Sequence, residues 1–220
     1  MNRPVRVEGR AAALLVAMAC VAAGMPAARG GNFNTIDSVR PRIGQRGTTV
    51  EVTIAGSHLR DAREIVFYRP GIRVVSVEPI GKPPENPGAA WNPSLKCVFE
   101  IAPDCPVGEH VFRVRSLAQL SMAATFDVGP FPVVHEVEAD VERGTKLNDS
   151  RESAMAVPPN VSVHGFMDGH DTGDIDVYRV PVKPGARFTA QVDCVRISDF
   201  THGHGEDSGY DLKLRVVDAA

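Results

Sequence analysis

From Thr48 onward the apolar residues fall at every second position in short runs, and almost nowhere at the three-to-four spacing of an amphipathic helix. Thr48-Thr49-Val50-Glu51-Val52-Thr53-Ile54 puts Val50, Val52 and Ile54 on one face, and Gly56-Ser57 ends the run. Glu64-Ile65-Val66-Phe67-Tyr68 follows, closed by Pro70-Gly71, and then Ile72 to Val77. Five prolines break the stretch from Pro79 to Pro93, which reads as a loop. Cys97 to Ile101 and His110 to Arg115 flank a Pro-Val-Gly turn, and Ala124 to Val128 completes a first group. A second group comprises Val161 to Gly165, Asp174 to Val180, Phe188 to Val192 and Leu212 to Val217. Short strands divided by turn residues predict an all-β chain of packed sheets rather than alternating strands and helices.

The first thirty residues differ in kind. Arg3, Arg6 and Arg10 precede an uncharged apolar run from Ala11 to Met25, and small residues lead to Pro26-Ala27-Ala28-Arg29. That is the order of a secretory signal, with cleavage expected after Ala28. The run is short for a membrane helix, which needs about 20 residues, so no transmembrane span is expected in the mature chain. Lipidation at Cys20 within Ala17-Met18-Ala19-Cys20 is a weaker alternative, because the usual leucine is missing.

Val39-Arg40-Pro41, Gly44-Gln45-Arg46-Gly47-Thr48-Thr49-Val50 and Ile54-Ala55-Gly56-Ser57-His58-Leu59 form an ordered series, joined later by Ile101-Ala102-Pro103 and Val107-Gly108-Glu109-His110. This series resembles the IPT/TIG family of immunoglobulin-like domains. Gly129-Pro130-Phe131-Pro132 reads as a stiff boundary, since proline fixes φ and lacks a donor. Beyond it, Asn148-Asp149-Ser150, then Asp174, Asp176 and Tyr178, then Lys183-Pro184-Gly185, resemble the bacterial pre-peptidase C-terminal (PPC) domain. The resemblances imply two consecutive β-sandwiches, immunoglobulin-like and then partial jelly-roll-like, after an N-terminal signal helix. The implied layout is a signal peptide at 1–28, an IPT/TIG-like domain at 32–129, a linker at 130–147 and a PPC-like sandwich at 148–220. In that family further strands follow one like Leu212 to Val217, so the second sandwich is expected to be C-terminally truncated, a fragment or a face covered by another chain. The combination is similar to large secreted proteins of planctomycete-type bacteria.

Charge is divided unevenly. Residues 1–134 carry 15 Lys and Arg against 11 Asp and Glu, whereas residues 135–220 carry 9 against 16. An acidic second half argues against nucleic acid, which is bound through clustered cations.

Four carboxylates, Asp168, Asp171, Asp174 and Asp176, lie within nine residues and supply the oxygens that Ca²⁺ takes. Their spacing is not that of an EF-hand, and Asp-rich turns that bond their own backbone are the competing reading. Beyond calcium no cofactor is expected. His202-Gly203-His204-Gly205-Glu206-Asp207 offers zinc or copper ligands, but a glycine-studded segment reads equally as a solvated loop. Cys97 and Cys105 are the candidate disulfide of an oxidising compartment, provided the chain turns sharply enough at Ala102-Pro103-Asp104. Cys194 is then a small buried residue. Trp91 either anchors a partner or caps the first sandwich, and Tyr68 and Tyr178 read as strand-packing residues.

Catalytic signatures are missing from the sequence. No G-x-S-x-G elbow occurs, and His135-Glu136-Val137-Glu138-Ala139 has alanine where H-E-x-x-H needs its second histidine. The expectation is a non-enzymatic, secreted, periplasmic or cell-surface protein. It would act as a binding or structural module of a larger exported bacterial protein, with an unknown protein or a polysaccharide at the cell surface as partner. The alternative is an accessory domain pair of a secreted hydrolase, a peptidase, whose catalytic part lies elsewhere.

Overall fold

A computed structural model describes residues 33–86, 91–137, 139–140, 145–146, 148–165, 175–193 and 212–218. The signal segment at 1–28 and Cys20 lie outside the described residues. The described chain is all-β.

Eight strands form a sandwich: β1 (Ser38–Arg40), β2 (Ile43–Gln45), β3 (Thr49–Ala55), β4 (Ala62–Phe67), β5 (Ile72–Pro79), β6 (Leu95–Ile101), β7 (Gly108–Ser116) and β8 (Ala124–Gly129). One sheet runs β1-β3-β6-β5 and the other β2-β8-β7-β4. All pairings are antiparallel except that of β2 with β8. The chain changes sheets between β1 and β2 at Pro41, which has no N–H to continue a ladder. β1 and β2 have three residues each, too few to show a period, and the sequence pattern passes them over.

β6 shows how alternation becomes a core. Leu95, Cys97, Phe99 and Ile101 are buried while Lys96 and Glu100 are exposed, because successive side chains point to opposite faces. The exposed pair meets opposite charges on neighbouring strands, Lys96 with Glu51 at 2.8 Å and Glu100 with Arg73. Such surface pairs add little stability but suit the register. Phe99 sits centrally, edge-on to Phe67 and Phe126 with ring centroids at 5.2 and 5.3 Å. The predicted inward set Val50, Val52 and Ile54 holds, with Val52 and Ile54 fully buried. The whole buried apolar cluster lies between Ile36 and Val128.

Two glycines are fixed by space. A Cβ on Gly56 would collide with the Thr35 carbonyl oxygen. Gly71, at the turn from β4 to β5, has φ +115°, and a Cβ there would lie 2.5 Å from the Cys105 sulfur.

Among the described residues, the chain after the sandwich forms short ladders. β9 (Val133–His135) runs parallel to β13 (Ser162–His164), β10 (Ala139–Asp140) pairs with β11 (Thr145–Lys146), and β12 (Met155–Ala156) runs parallel to β14 (Tyr178–Arg179). The expected strands at Phe188 to Val192 and Leu212 to Val217 carry no ladder among the described residues. Alternation supplies an apolar face, but a strand also needs a neighbour's N–H and C=O groups.

Candidate functional site

The junction between the sandwich and the following segment gathers the most polar chemistry. β9 and β13 bring His135 and His164 together, rings nearly perpendicular with centroids 5.6 Å apart. His164 is buried, and its Nε2 accepts the backbone N–H of Arg42 at 3.0 Å. Burial is the main cause that lowers its pKa to about 4, helped by His135, Arg42 and Arg40 and opposed by Glu136. The Arg42 side chain crosses β8, its guanidinium donating to the Thr125 carbonyl at 3.4 Å and hydroxyl at 3.3 Å. Its own pKa is lowered by burial, with Asp127 and Glu109 acting against that.

Next to the histidines lies a second knot. Asn148 is completely buried with φ +62°, a left-handed conformation that asparagine tolerates better than most residues. Its side-chain amide donates to Glu136 at 2.6 Å and to Asp176 at 3.0 Å, and the Tyr178 hydroxyl also donates to Glu136. The Asn148 Oδ1 has no hydrogen-bond partner among the described residues. Main-chain bonds close the knot, Val177 N–H to the Asn148 carbonyl at 2.7 Å and Glu136 N–H to the His164 carbonyl at 3.0 Å. Both carboxylates are occupied by donors from the chain itself, so the arrangement ties three separate segments together.

Of the sequence candidates, Asp176 accepts from the Asn148 amide; Asp168, Asp171 and Asp174 lie outside the described residues, as do Cys194, His202 and His204. Among the described residues no group of three or more His, Cys, Asp or Glu is placed to hold a metal ion. Trp91 is half-buried, and the adjacent Asn92 pins the loop to the sandwich, accepting from the His58 N–H at 2.7 Å and donating to the Gly56 carbonyl at 2.9 Å.

The Cys97–Cys105 disulfide is not formed; both are buried free thiols. Cys97 lies mid-strand between Val52 and Val77, whereas Cys105 packs on Gly71, beside the far end of β6. The four strand steps from Cys97 to Ile101 alone carry the chain about 13 Å, beyond the ~7 Å that a bridge spans. Burial pushes the Cys97 thiol up to about 12. It also raises that of Cys105, with Arg69 pulling the other way. The Cys105 sulfur is 3.6 Å from His110 Nε2, but that nitrogen also lies 2.7 Å from the Pro106 carbonyl and so carries the proton it donates there. Neither thiol is set up as a thiolate nucleophile.

Tyr68 corrects the sequence reading: it is 59% exposed, not packed. β4 and β5 are the edge strands of opposite sheets, and the turn joining them forms one rim of an open groove of about 570 Å³ lined by Glu64, Phe67, Tyr68, Arg69, Ile72 and Val74. Tyr178, in contrast, is half-buried through its bond to Glu136. The sequence reading passes over Arg42, and it takes Glu136 only as part of an incomplete H-E-x-x-H. Asn148 and Asn160 each begin a glycosylation-type triplet, a signal unrelated to the role of Asn148, whereas the PPC-like series contains Asn148, Asp176 and Tyr178 together without placing them in contact.

No family model matches the chain, and no curated protein matches it. Among solved structures, one match is the surface glycan-binding protein B of the Bacteroides ovatus mixed-linkage glucan utilization locus, in complex with a mixed-linkage heptasaccharide. The TM-score is 0.33 at 14% identity, and the match covers 56% of this chain and 25% of that one. The chain thus spans about a quarter of that protein's length, and the likeness is too slight to carry an argument about fold or ligand.

Proposed function

We propose that the chain is a non-catalytic binding module of an exported protein, with the β4–β5 groove as its contact surface and a polysaccharide at the cell surface as its partner. The observation that carries this is Tyr68, a large ring left 59% exposed in a groove of mixed character, lined by Phe67, Ile72 and Val74 together with Glu64 and Arg69. An exposed aromatic face takes the C–H face of a sugar ring, and the flanking charges offer hydrogen bonds to its hydroxyls. The leader Arg3 to Ala28 supports export, and the IPT/TIG-like and PPC-like series support a place within a larger secreted protein.

Affinity electrophoresis of the full chain through gels containing soluble glucans, xylans or mannans tests the reading. Retardation by at least one polysaccharide is expected, with Tyr68→Ala and Arg69→Ala each weakening it by about tenfold or more, on the scale of a binding hot spot. Unretarded migration on every polysaccharide, or retardation that Tyr68→Ala leaves intact, overturns it.

A further inference from the structure

We infer that His164 is an acid-released latch: its neutral ring holds the Arg42 amide and joins the β9–β13 segment to the sandwich, and proton uptake opens that joint. The geometry fixes the ring's protonation. Nε2 accepts the Arg42 N–H at 3.0 Å, so the neutral imidazole carries its hydrogen on Nδ1. A second proton would sit on Nε2, turning an acceptor into a donor that faces a donor. No small rotation relieves this, because the ring is buried and packs edge-on against His135.

The surrounding charges point the same way. His135 from β9, Arg40 from the end of β1 and Arg42 from the β1–β2 connection oppose a positive ring, and among the described residues Glu136 favours it. The closed form therefore refuses a proton that the opened, solvated histidine takes at its ordinary value near 6.5. With the closed pKa at about 4, the latch is fully effective above pH ~6.5 and weakens as pH falls toward about 4. In that window the open population rises about tenfold per pH unit. Three bonds should loosen together: Arg42 N–H to His164, Ser162 N–H to the Pro132 carbonyl at 2.9 Å, and Glu136 N–H to the His164 carbonyl at 3.0 Å. The sandwich core between Ile36 and Val128 is built without this joint and should stay closed.

The test is NMR on the full chain between neutral pH and pH ~4, reading the His164 ring titration and amide protection factors. The expected result is a ring midpoint near 4 and protection at Arg42, Ser162 and Glu136 that falls about tenfold per unit while β6 and β7 amides hold. His164→Gln keeps an acceptor without a titrating proton and should abolish the pH dependence at those three amides. A ring midpoint near 6.5 with Arg42 still protected, core amides lost in step with Arg42, or an unchanged pH dependence in His164→Gln would each overturn the inference. Should His164→Gln fail to fold, the ring midpoint and amide protections of the unmodified chain decide alone.

Discussion

Cys97 shows how burial decides chemistry one residue at a time. The sequence offers a cysteine behind a leader-like N-terminus with a second one eight positions on, and that spacing invites a bridge. The strand separates them, and burial then pushes the Cys97 thiol up to about 12, which leaves almost no thiolate at neutral pH. Peptide mapping after treatment with a thiol reagent should find Cys97 and Cys105 unmodified in the native chain and both modified once denaturant is added. A bridge would leave both unmodified in denaturant until a reductant is supplied. Asn148 makes the complementary point. Its sequence neighbourhood advertised a glycosylation triplet, but the side chain is fully buried and spends its amide on Glu136 and Asp176. A residue type states what bonds are available, and only its surroundings state which are made.

Among elements, every sandwich strand with neighbours on both sides was legible, as were the longer edge strands β4 and β5. β3 and β6 lie inside the first sheet, β7 and β8 inside the second, and each was legible from its alternation. The edge strands depart from the pattern where they are irregular. The ladders of β4 with β7 and of β5 with β6 each shift register, the second between Val74 and Ser76. The extra residue, Val75, turns outward and is half exposed, as expected of a bulge. β1 enters against β3 through Gly56, where the Thr35 carbonyl leaves no space for a side chain. The Asp37 N–H, bonded to the Ala55 carbonyl at 2.8 Å, extends that approach. Gly56→Ala should cost about 1–3 kcal/mol, the usual range for overpacking, read as a lower urea midpoint with an unchanged slope. A midpoint matching that of the parent chain would show that Thr35 does not press on this position.

The whole molecule is uneven. The buried apolar cluster runs from Ile36 to Val128 and draws on both sheets of the sandwich, whereas the later ladders have two or three residues per strand. Hydrophobic burial is the main stabilising term, so residues 33–129 expressed alone should unfold in one cooperative urea transition. Their midpoint should lie close to that of the sandwich in the full chain. Loss of a cooperative transition in that fragment would mean that the junction, through Arg42, His164 and Gly129, is needed to complete the sandwich. Several apolar side chains after Ile175 stay exposed among the described residues, including Phe188 at 41% and Val216 at 66%, where no neighbouring strand pairs with the alternation.

The order of apolar and polar residues by itself determined that this chain is all-β, where six of the eight sandwich strands lie, and which face of β3 turns inward, because alternation is a local property of the backbone. Tertiary structure alone decided the exposure of Tyr68, the separation of Cys97 from Cys105, and the meeting of Arg42 with His164 and of Asn148 with Glu136 and Asp176. Those outcomes depend on distances between segments far apart in the chain, set by sheet pairing and by what each side chain finds across the gap. No spacing along the sequence encodes them.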